Sequence, residues 1–197
     1  MTLPLTDRSD AALVGGPPEL FGELFERHSG WLFDYAARRV GRELAEDLVS
    51  GTFLVAFSRR ARYDPSVPNA RPWLAGILTN LLRNHRRTEV RGLRAVARSG
   101  VDPLGGARQV NEGFADRAGE RLDAQAAGRW LAGALAAMPR NQRDVLLLHV
   151  WVGLDYPELV AALGVPPGTV RSRLHRAKAR LRAALPEQFL AERSWTR

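Results

Sequence analysis

The segment at residues 165–182, VPPGTVRSRLHRAKARLR, has the side chains of a helix that binds a polyanion. Its last twelve residues contain no carboxylate and six basic side chains, namely Arg171, Arg173, Arg176, Lys178, Arg180 and Arg182. A merely solvated helix usually mixes opposite charges three or four residues apart, so this composition disfavours a plain surface helix. The planar guanidinium of arginine pairs with phosphates and can also hydrogen-bond a guanine edge through two donors. The pattern therefore predicts a helix that lies against nucleic acid.

Two consecutive helices are predicted to present these side chains. The first has Asp155 as its N-cap and Glu158 to close a capping box, and Gly164 suits its C-terminal end. After a Pro-Pro-Gly turn, the second helix begins at the N-cap Thr169 and runs to about Ala184. Its apolar residues fall on one face at helical spacing, and they are Val170, Leu174, Ala177 and Leu181. A helix, a tight turn and a basic helix form a helix-turn-helix, whose second helix enters the major groove of DNA.

Apolar residues recur at helical spacing along most of the remaining chain. Helices are predicted from the Pro17-Pro18 pair onward, over residues 43–60 and over residues 73–87, with a proline-rich break between the last two. Residues 96–118 are rich in glycine and polar residues and lack this periodicity. The predicted fold is all-α, with two small helical domains joined by a flexible linker. The predicted boundaries are 17–95 for the first domain, 96–122 for the linker and 123–186 for the second domain.

The charge and composition of the chain favour some classes of function and exclude others. The formal charge is +8, and residues 128–197 hold 11 basic against 5 acidic side chains, which favours a polyanion partner. The chain has no cysteine, no signal-peptide pattern and no apolar run long enough for a bilayer, so we expect a cytoplasmic protein without membrane insertion. Its four histidines match no metal-binding motif, and phosphate-loop and nucleophile-elbow motifs are absent from the sequence. We therefore expect neither an enzyme nor a cofactor.

Two separate motifs resemble the sigma factors of bacterial RNA polymerase. Residues 135–182 closely resemble region 4 of these proteins, and GTVRSRLHRAKARL is similar to the recognition helix of their extracytoplasmic-function (ECF) group. In the N-terminal half, AEDLVSGTFLVAF resembles the region 2 helix that binds core polymerase, and RPWLAGILTNLLRNHRR resembles the promoter-melting segment. The matches cover most of residues 20–94 and 128–185. The resemblance implies a protein that binds core polymerase and directs it to promoters by reading −10 and −35 elements.

The resemblance gives region 2 two tasks. One is to bind the coiled coil of the polymerase β′ subunit, and the matching positions are Glu46, Asp47, Leu48, Thr52 and Phe53. The alternative for Leu48 and Phe53 is a place in the helical core. The other is to read the −10 element, where an unstacked base is captured while cationic side chains hold the strand. The matching positions are Tyr63, Asn69, Arg71, Asn80, Arg83, His85, Arg86 and Arg87. Trp73 is expected to anchor the helical core instead.

Region 4 is expected to read the −35 element. The matching positions are Tyr156, Thr169, Arg171, Ser172, Arg173, His175 and Arg176. His149 stands where the family usually has an arginine, and the sequence leaves open whether it contacts phosphate or packs inside its helix. The implied partners are core RNA polymerase (β′ and β subunits), promoter DNA and an anti-sigma factor. The alternative is a stand-alone helix-turn-helix regulator, which would need a strand-containing receiver domain upstream, and residues 1–130 show no strand pattern.

Overall fold

The computed structural model describes residues 8–99 and 117–184, and every regular element in these two ranges is helical. The prediction of an all-α fold is confirmed. The N-terminal half contains α1 (Asp10–Gly15), α2 (Phe21–Val40), α3 (Arg42–Arg59), α4 (Arg71–Leu82) and α5 (Arg86–Ser99). The C-terminal half contains α6 (Arg117–Ala137), α7 (Arg140–Leu147), α8 (Tyr156–Leu163) and α9 (Pro167–Ala184). None of the helices in these two ranges is both long and apolar enough to cross a membrane.

Helices α2, α3 and α4 enclose the core of the N-terminal half. Only Gly41 separates α2 from α3, and its φ of 92° lies in the left-handed region that favours glycine. The core between these helices is formed by fully buried side chains, among them Leu24, Leu32, Ala45, Ala56, Leu74 and Leu78. The chain between α3 and α4 stays on the surface, and α4 carries it back into the core. The predicted −10 residues therefore lie at the two ends of a buried helix.

Three boundaries differ from the sequence prediction. Helix α1 was not predicted, because six residues are too few to display helical periodicity. The third predicted helix ends at Leu82, where the 3₁₀ turn Arg83–His85 redirects the chain into α5. Helix α5 continues to Ser99 and α6 begins at Arg117, so the outer parts of the predicted linker are helical. Residues 100–116 of that linker lie outside the described ranges.

The helix-turn-helix of the C-terminal half is formed by α8 and α9. The capping box is confirmed, because Asp155 Oδ1 accepts from the Glu158 N–H at 2.9 Å and Glu158 Oε2 accepts from the Asp155 N–H at 3.0 Å. Gly164 ends α8 with a φ of 62°. The predicted N-cap at Thr169 is wrong. Helix α9 begins two residues earlier, at Pro167, because proline fits the first turn, where its missing N–H forfeits no bond.

The two halves share one continuous apolar core. Helices α4 and α8 approach so closely that a Cβ at Gly76 would lie 2.3 Å from the carbonyl oxygen of Ala162, so a glycine is required there. After α7 the chain forms a π-helical turn, Leu148–Val152, which brings Trp151 edge-on to Tyr35 of α2 at 6.3 Å between ring centroids. The two halves therefore pack against each other through both apolar and aromatic contacts.

Four charged side chains are buried where the halves meet, and we refer to them as the interdomain charge cluster. They are Arg39 of α2, Glu89 of α5, and Arg143 and Asp144 of α7, each with at most 4% of its side chain exposed. Arg39 donates to Glu89 and to Asp144, at 2.6 Å in both cases, and Arg143 donates to Glu89 at 2.8 Å. Arg39 also donates to the hydroxyl of Tyr35 at 2.7 Å. Each carboxylate is thus paired with a guanidinium from the other half or from a distant helix.

Candidate nucleic-acid interface

Helix α9 turns an apolar face inward and a basic face outward. Val170, Leu174 and Ala177 are at most 1% exposed, and Leu181 is half-buried, so the predicted stripe is found where it was expected. The exposed side chains of the other faces are Arg171, His175, Arg176, Lys178, Arg180 and Arg182. Ser172 and Arg173 are half-buried. Among the residues that the structure describes, no salt bridge neutralises any of these cations, so their charge is available to an anion.

One of these arginines is oriented by its own helix. Arg176 donates to the backbone carbonyl of Ser172 at 3.2 Å and to the Ser172 hydroxyl at 3.1 Å. The Ser172 hydroxyl in turn donates to the carbonyl of Thr169 at 3.1 Å. A guanidinium has five donors, so the remaining N–H groups of Arg176 stay free for a base edge or a phosphate. Ser172 and Thr169 therefore orient the side chain of Arg176 in addition to lying on the predicted surface.

Tyr156 and His149 lie together beside the helix-turn-helix. Tyr156 is the first residue of α8 and is 45% exposed, and its ring centroid lies 6.2 Å from that of His149. The Nδ1 of His149 is 2.9 Å from the carbonyl oxygen of Leu154, which can only accept, so Nδ1 carries the proton. His149 is half-buried, with one nitrogen committed to the backbone. The structure thus ties His149 to the turn before α8 and leaves its Nε2 as the available polar atom.

The loop between α3 and α4, residues 63–70, and the following Arg71 form the first part of the predicted −10 surface. Tyr63 donates its hydroxyl to the Val67 carbonyl at 2.6 Å, and burial, together with nearby carboxylates, raises the pKa of Tyr63 to about 12. The side chain of Asn69 accepts from the Arg71 N–H at 2.9 Å. The guanidinium of Arg71 lies over the ring of Trp31, 4.9 Å from its centroid. The loop is therefore held by its own hydrogen bonds and by stacking on α2.

The second part of the predicted −10 surface lies at the far end of α4. Asn80, Arg83, Arg86 and Arg87 are exposed and His85 is half-buried. No salt bridge involves these side chains within the described residues. Helix α4 has twelve residues, which correspond to about 18 Å along the axis, and Arg71 begins it whereas Arg83, Arg86 and Arg87 follow its end. The structure therefore does not gather the predicted −10 residues into one pocket, but places them at both ends of a helix, as suits a strand that runs along it.

The predicted core-polymerase residues divide into exposed and buried groups. Glu46 and Asp47 are exposed on α3. Leu48, Thr52 and Phe53 are 6%, 0% and 7% exposed, and Thr52 donates its hydroxyl to the Leu48 carbonyl at 2.7 Å. In this structure these three residues pack inside the N-terminal half, whereas Glu46 and Asp47 are exposed to a partner, and the assignment of the whole set to core polymerase stays a prediction. Helical periodicity could have revealed this, because they face away from the exposed positions.

An exposed apolar surface lies beside Glu46 and Asp47. Leu54, about two turns beyond Asp47 on α3, is 72% exposed, and Phe25 of α2 is 44% exposed. Phe25 packs its ring against Phe53 at 4.8 Å between centroids. Large exposed apolar side chains beside carboxylates are typical of a surface that another protein covers. The sequence analysis did not single out Phe25 or Leu54, although the polar Asp47 and Ser50 on the same face as Leu54 indicated that it would be exposed.

The residues that hold the predicted −10 loop belong to no familiar motif, so the sequence alone did not reveal them. Asp10 of α1 is 5% exposed, and its Oδ2 accepts from the Ala70 N–H and pairs with His28 Nε2, both at 2.8 Å. Its Oδ1 accepts from Arg27 at 2.7 Å. Burial by itself raises the pKa of Asp10, but the hydrogen bonds of His28 and of the Ala70 N–H outweigh burial and lower it to about 2. Asp10 is therefore an ionised carboxylate within the fold.

Comparison with known proteins identifies the chain. The family profile of "Sigma-70 region 2" matches residues 24–92, and that of "Sigma-70, region 4" matches residues 128–181. The RNA polymerase sigma factor CarQ of Myxococcus xanthus is 32% identical over 181 residues, which are 87% of this chain and 92% of CarQ. The ECF RNA polymerase sigma factor SigL of Mycobacterium tuberculosis is 31% identical over 169 residues, covering 85% of this chain and 90% of SigL. This chain belongs to the ECF sigma factors.

Solved structures agree with this membership. The sigma factor matches the structure of CnrH in complex with the cytosolic domain of CnrY with a TM-score of 0.57 and 26% identity, covering 93% of this chain and 96% of that one. The sigma factor RpoE, in complex with the anti-sigma factor NepR from Bartonella quintana, has the same fold, with a TM-score of 0.56, 22% identity and coverage of 88% and 98%. The matched regions span both halves of this sigma factor in the expected order, and the stand-alone regulator gains no support.

Proposed function

We propose that this ECF sigma factor, which directs promoter-specific initiation by RNA polymerase, divides the work among three surfaces of the described residues. The observation that carries the proposal is α9, whose apolar face is buried while its five exposed arginine and lysine side chains have no salt-bridge partner among the residues that the structure describes. Arg171 and Arg176 would read the −35 element in the major groove, and Arg180 and Arg182 would contact phosphates further along the helix. Tyr156, at the start of α8, would lie against the DNA backbone.

The −10 element would be read at the two ends of α4. The loop at residues 63–70 would take up an unstacked base, and Arg83, Arg86 and Arg87 would follow the strand backbone. These arginines are exposed and have no salt-bridge partner in the described ranges, which supports this assignment. Trp73 is half-buried, with its ring 5.0 Å from that of Tyr63, and so supports the loop from the side of α4.

The surface for core polymerase would consist of the exposed face of α3 with Phe25 of α2. Glu46 and Asp47 supply charge there, and Leu54 supplies apolar area. We expect Leu54→Asp to weaken binding to core polymerase in the absence of DNA without lowering the melting temperature. Val67→Asp, which changes another exposed apolar side chain outside this surface, is the matched control. Equal affinities of both variants for core polymerase would overturn this assignment.

An anti-sigma factor is a further proposed partner. CnrH is bound to CnrY and RpoE is bound to the anti-sigma factor NepR in the solved structures. If this chain has such a partner, affinity purification of the tagged chain from its own cells should recover a protein that competes with core polymerase. We place these events in the cytoplasm, where polymerase and chromosome meet, and the proposed roles are all binding roles that need no catalytic group.

The decisive experiment for the proposed function is run-off transcription with purified core polymerase on genomic fragments. Addition of this sigma factor should produce transcripts with a small set of defined start sites, and the free chain should bind duplex promoter DNA weakly, because neither reading surface is large enough alone. Tight sequence-specific binding by the free chain, with no effect on polymerase, would favour the stand-alone regulator instead.

A further inference from the structure

The chain before the matched region 2 reaches into the proposed −10 surface. The region 2 match begins at residue 24, whereas Asp10 lies in α1 and is buried against the start of α4. Its Oδ2 accepts from the N–H of Ala70, the residue that precedes α4. No side chain of α4 caps this end of the helix itself. Asp10 therefore supplies, from 60 residues away, both a hydrogen-bond acceptor and a negative charge at a helix N-terminus, where both are stabilising.

The same carboxylate orients a second support of the loop. Trp31 Nε1 can only donate, and it donates to His28 Nδ1 at 2.9 Å. Nδ1 is therefore an acceptor, so the proton of a neutral His28 resides on Nε2 and is donated to Asp10 Oδ2 at 2.8 Å. The ring of Trp31, fixed in this way, is the face on which the guanidinium of Arg71 lies. Two adjacent residues of the loop's end, Ala70 through its backbone and Arg71 through its side chain, thus depend on Asp10.

The contacts of Asp10 are specific for a carboxylate. It accepts three hydrogen bonds, from the Ala70 N–H, from His28 and from Arg27, and it is almost completely enclosed. An amide at this position would offer only one acceptor oxygen and would turn an NH₂ group toward a donor. Either orientation of the amide loses the negative charge, and one of them turns the NH₂ group toward the buried Ala70 N–H and His28, so the hold on the loop weakens. Hydrogen bonds to an ionised carboxylate are stronger than those between neutral groups, so Asp10 holds its partners firmly in place.

We propose that Asp10 is a positioning residue for −10 recognition, acting through Ala70 and through the His28–Trp31 pair to hold Arg71 and the preceding loop in the geometry that reads the strand. The proposal rests on the assignment of this loop to the −10 element. It concerns a segment outside both matched sigma regions, so the specificity of this sigma factor would depend on residues that a domain-based truncation removes.

The test compares promoter discrimination by holoenzymes. Asp10→Asn is assembled with core polymerase, and open-complex formation is measured on a promoter defined by run-off transcription, on the same promoter with a mutated −10 element, and on one with a mutated −35 element. We expect the preference for the intact −10 element to fall about tenfold, as for the loss of one charge-assisted hydrogen bond, with the −35 preference unchanged. Ser9→Ala is the matched control, because it removes the α1 cap bond to the Ala12 N–H and leaves the loop contacts intact.

A second variant covers the case in which Asp10→Asn does not fold. Trp31→Phe keeps a ring under Arg71 but removes the donor that orients His28, and it should also lower −10 discrimination selectively, by a smaller factor. Loss of −10 and −35 discrimination together, or unchanged −10 discrimination in a folded Asp10→Asn holoenzyme, would overturn the proposal. The proposed function fails separately, if the wild-type holoenzyme starts transcription at no defined site.

Discussion

Helix α9 is anchored by an apolar stripe, whereas the loop before α4 is anchored by a carboxylate, hydrogen bonds and stacked rings. Val170, Leu174 and Ala177 hold α9 against the rest of region 4, and within the described part of the chain no salt bridge involves this helix. In contrast, Asp10 and Arg71 place charges at the base of the loop. Apolar packing is non-directional and tolerates small shifts, while hydrogen bonds lose strength steeply with distance and angle. The difference suits the two proposed roles, in which a rigid helix enters a groove and a loop takes up a single base.

A substitution in the interdomain charge cluster should lower the free energy of unfolding the most, because the cluster holds the two halves together through charges that are buried in the core. Glu89→Gln would leave Arg39 and Arg143 buried with a neutral partner, and breaking a buried ion pair in this way costs about 3–5 kcal/mol. Urea denaturation measures the free energy of unfolding. Glu43→Gln, at an exposed position of α3, should change it by less than about 0.5 kcal/mol. Equal effects of both substitutions would show that the cluster does not stabilise the packed arrangement of the two halves.

Substitutions in the apolar stripe that anchors α9 should have the next largest effect on the free energy of unfolding. Leu174→Ala removes a fully buried side chain and should lower the free energy of unfolding by about 2–5 kcal/mol. Leu181→Ala, on the same stripe but half-buried, should cost less. If Asp10 is a positioning residue, Asp10→Asn should lower the free energy of unfolding less than Leu174→Ala does. It should nevertheless change the discrimination between intact and mutated −10 elements more. If Asp10→Asn proves the more destabilising of the two, Asp10 is chiefly a stabiliser of the fold.

These two kinds of anchor also explain what could be predicted from the sequence. The stripe of α9 and the capping box of Asp155 and Glu158 are local patterns with fixed spacing, so the helix-turn-helix could be placed before the structure was known. The bond between Asp10 and Ala70 joins residues 60 positions apart, and no local pattern reports such a pair. Leu48 and Phe53 were assigned to a partner because of the motif that contains them, although their spacing on α3 was that of a buried face.

The reading side chains of α9 should affect recognition without affecting stability. Arg171→Ala and Arg176→Ala should each weaken binding to the −35 element by about 1–3 kcal/mol, and only for the matched sequence, if each contacts a base edge. Arg180→Ala, further along the helix, should act less strongly and on matched and mutated elements alike. Open-complex formation on matched and mutated −35 elements measures both effects. Equal, sequence-independent losses from all three substitutions would mean that α9 is only an electrostatic surface.

The stability that Asp10 contributes should depend on pH, whereas the stability that the apolar stripe of α9 contributes should not. The pKa of Asp10 is lowered from 3.8 to about 2 in the fold, so its charge stabilises the folded state above pH 3.8 and this contribution is lost as the pH falls toward 2. The difference in unfolding free energy between wild type and Asp10→Asn should therefore be constant above about pH 5 and shrink at lower pH. The difference between wild type and Leu174→Ala should stay constant over the same range. The contrast between a charged and an apolar anchor would be contradicted if the difference for Leu174→Ala shrank at low pH, or if the difference for Asp10→Asn did not.

Substitution of His149 should have the smallest effect on DNA binding and stability. Its side chain combines both kinds of anchor, because it is half-buried, bonded to the Leu154 carbonyl and beside the ring of Tyr156. His149→Arg would place a fixed charge near the start of α8, and one additional neutralised phosphate steepens the salt dependence of log K by about 0.9 in slope. Affinity for matched and mutated −35 elements should rise equally, because phosphate contacts position the protein without specifying sequence. Loss of the bond to Leu154 should lower stability by about 0.5–1.5 kcal/mol.

The matched control is Val150→Arg, which adds the same charge at the neighbouring position, where the native side chain is 62% exposed. Successive residues of a helix point in different directions, so a charge at position 150 should change the slope less than one at position 149. A salt titration of promoter binding by the holoenzyme and the melting temperature of the full chain separate the possibilities. An unchanged slope with a lowered melting temperature would make His149 a support of the turn before α8 rather than a neighbour of the DNA backbone.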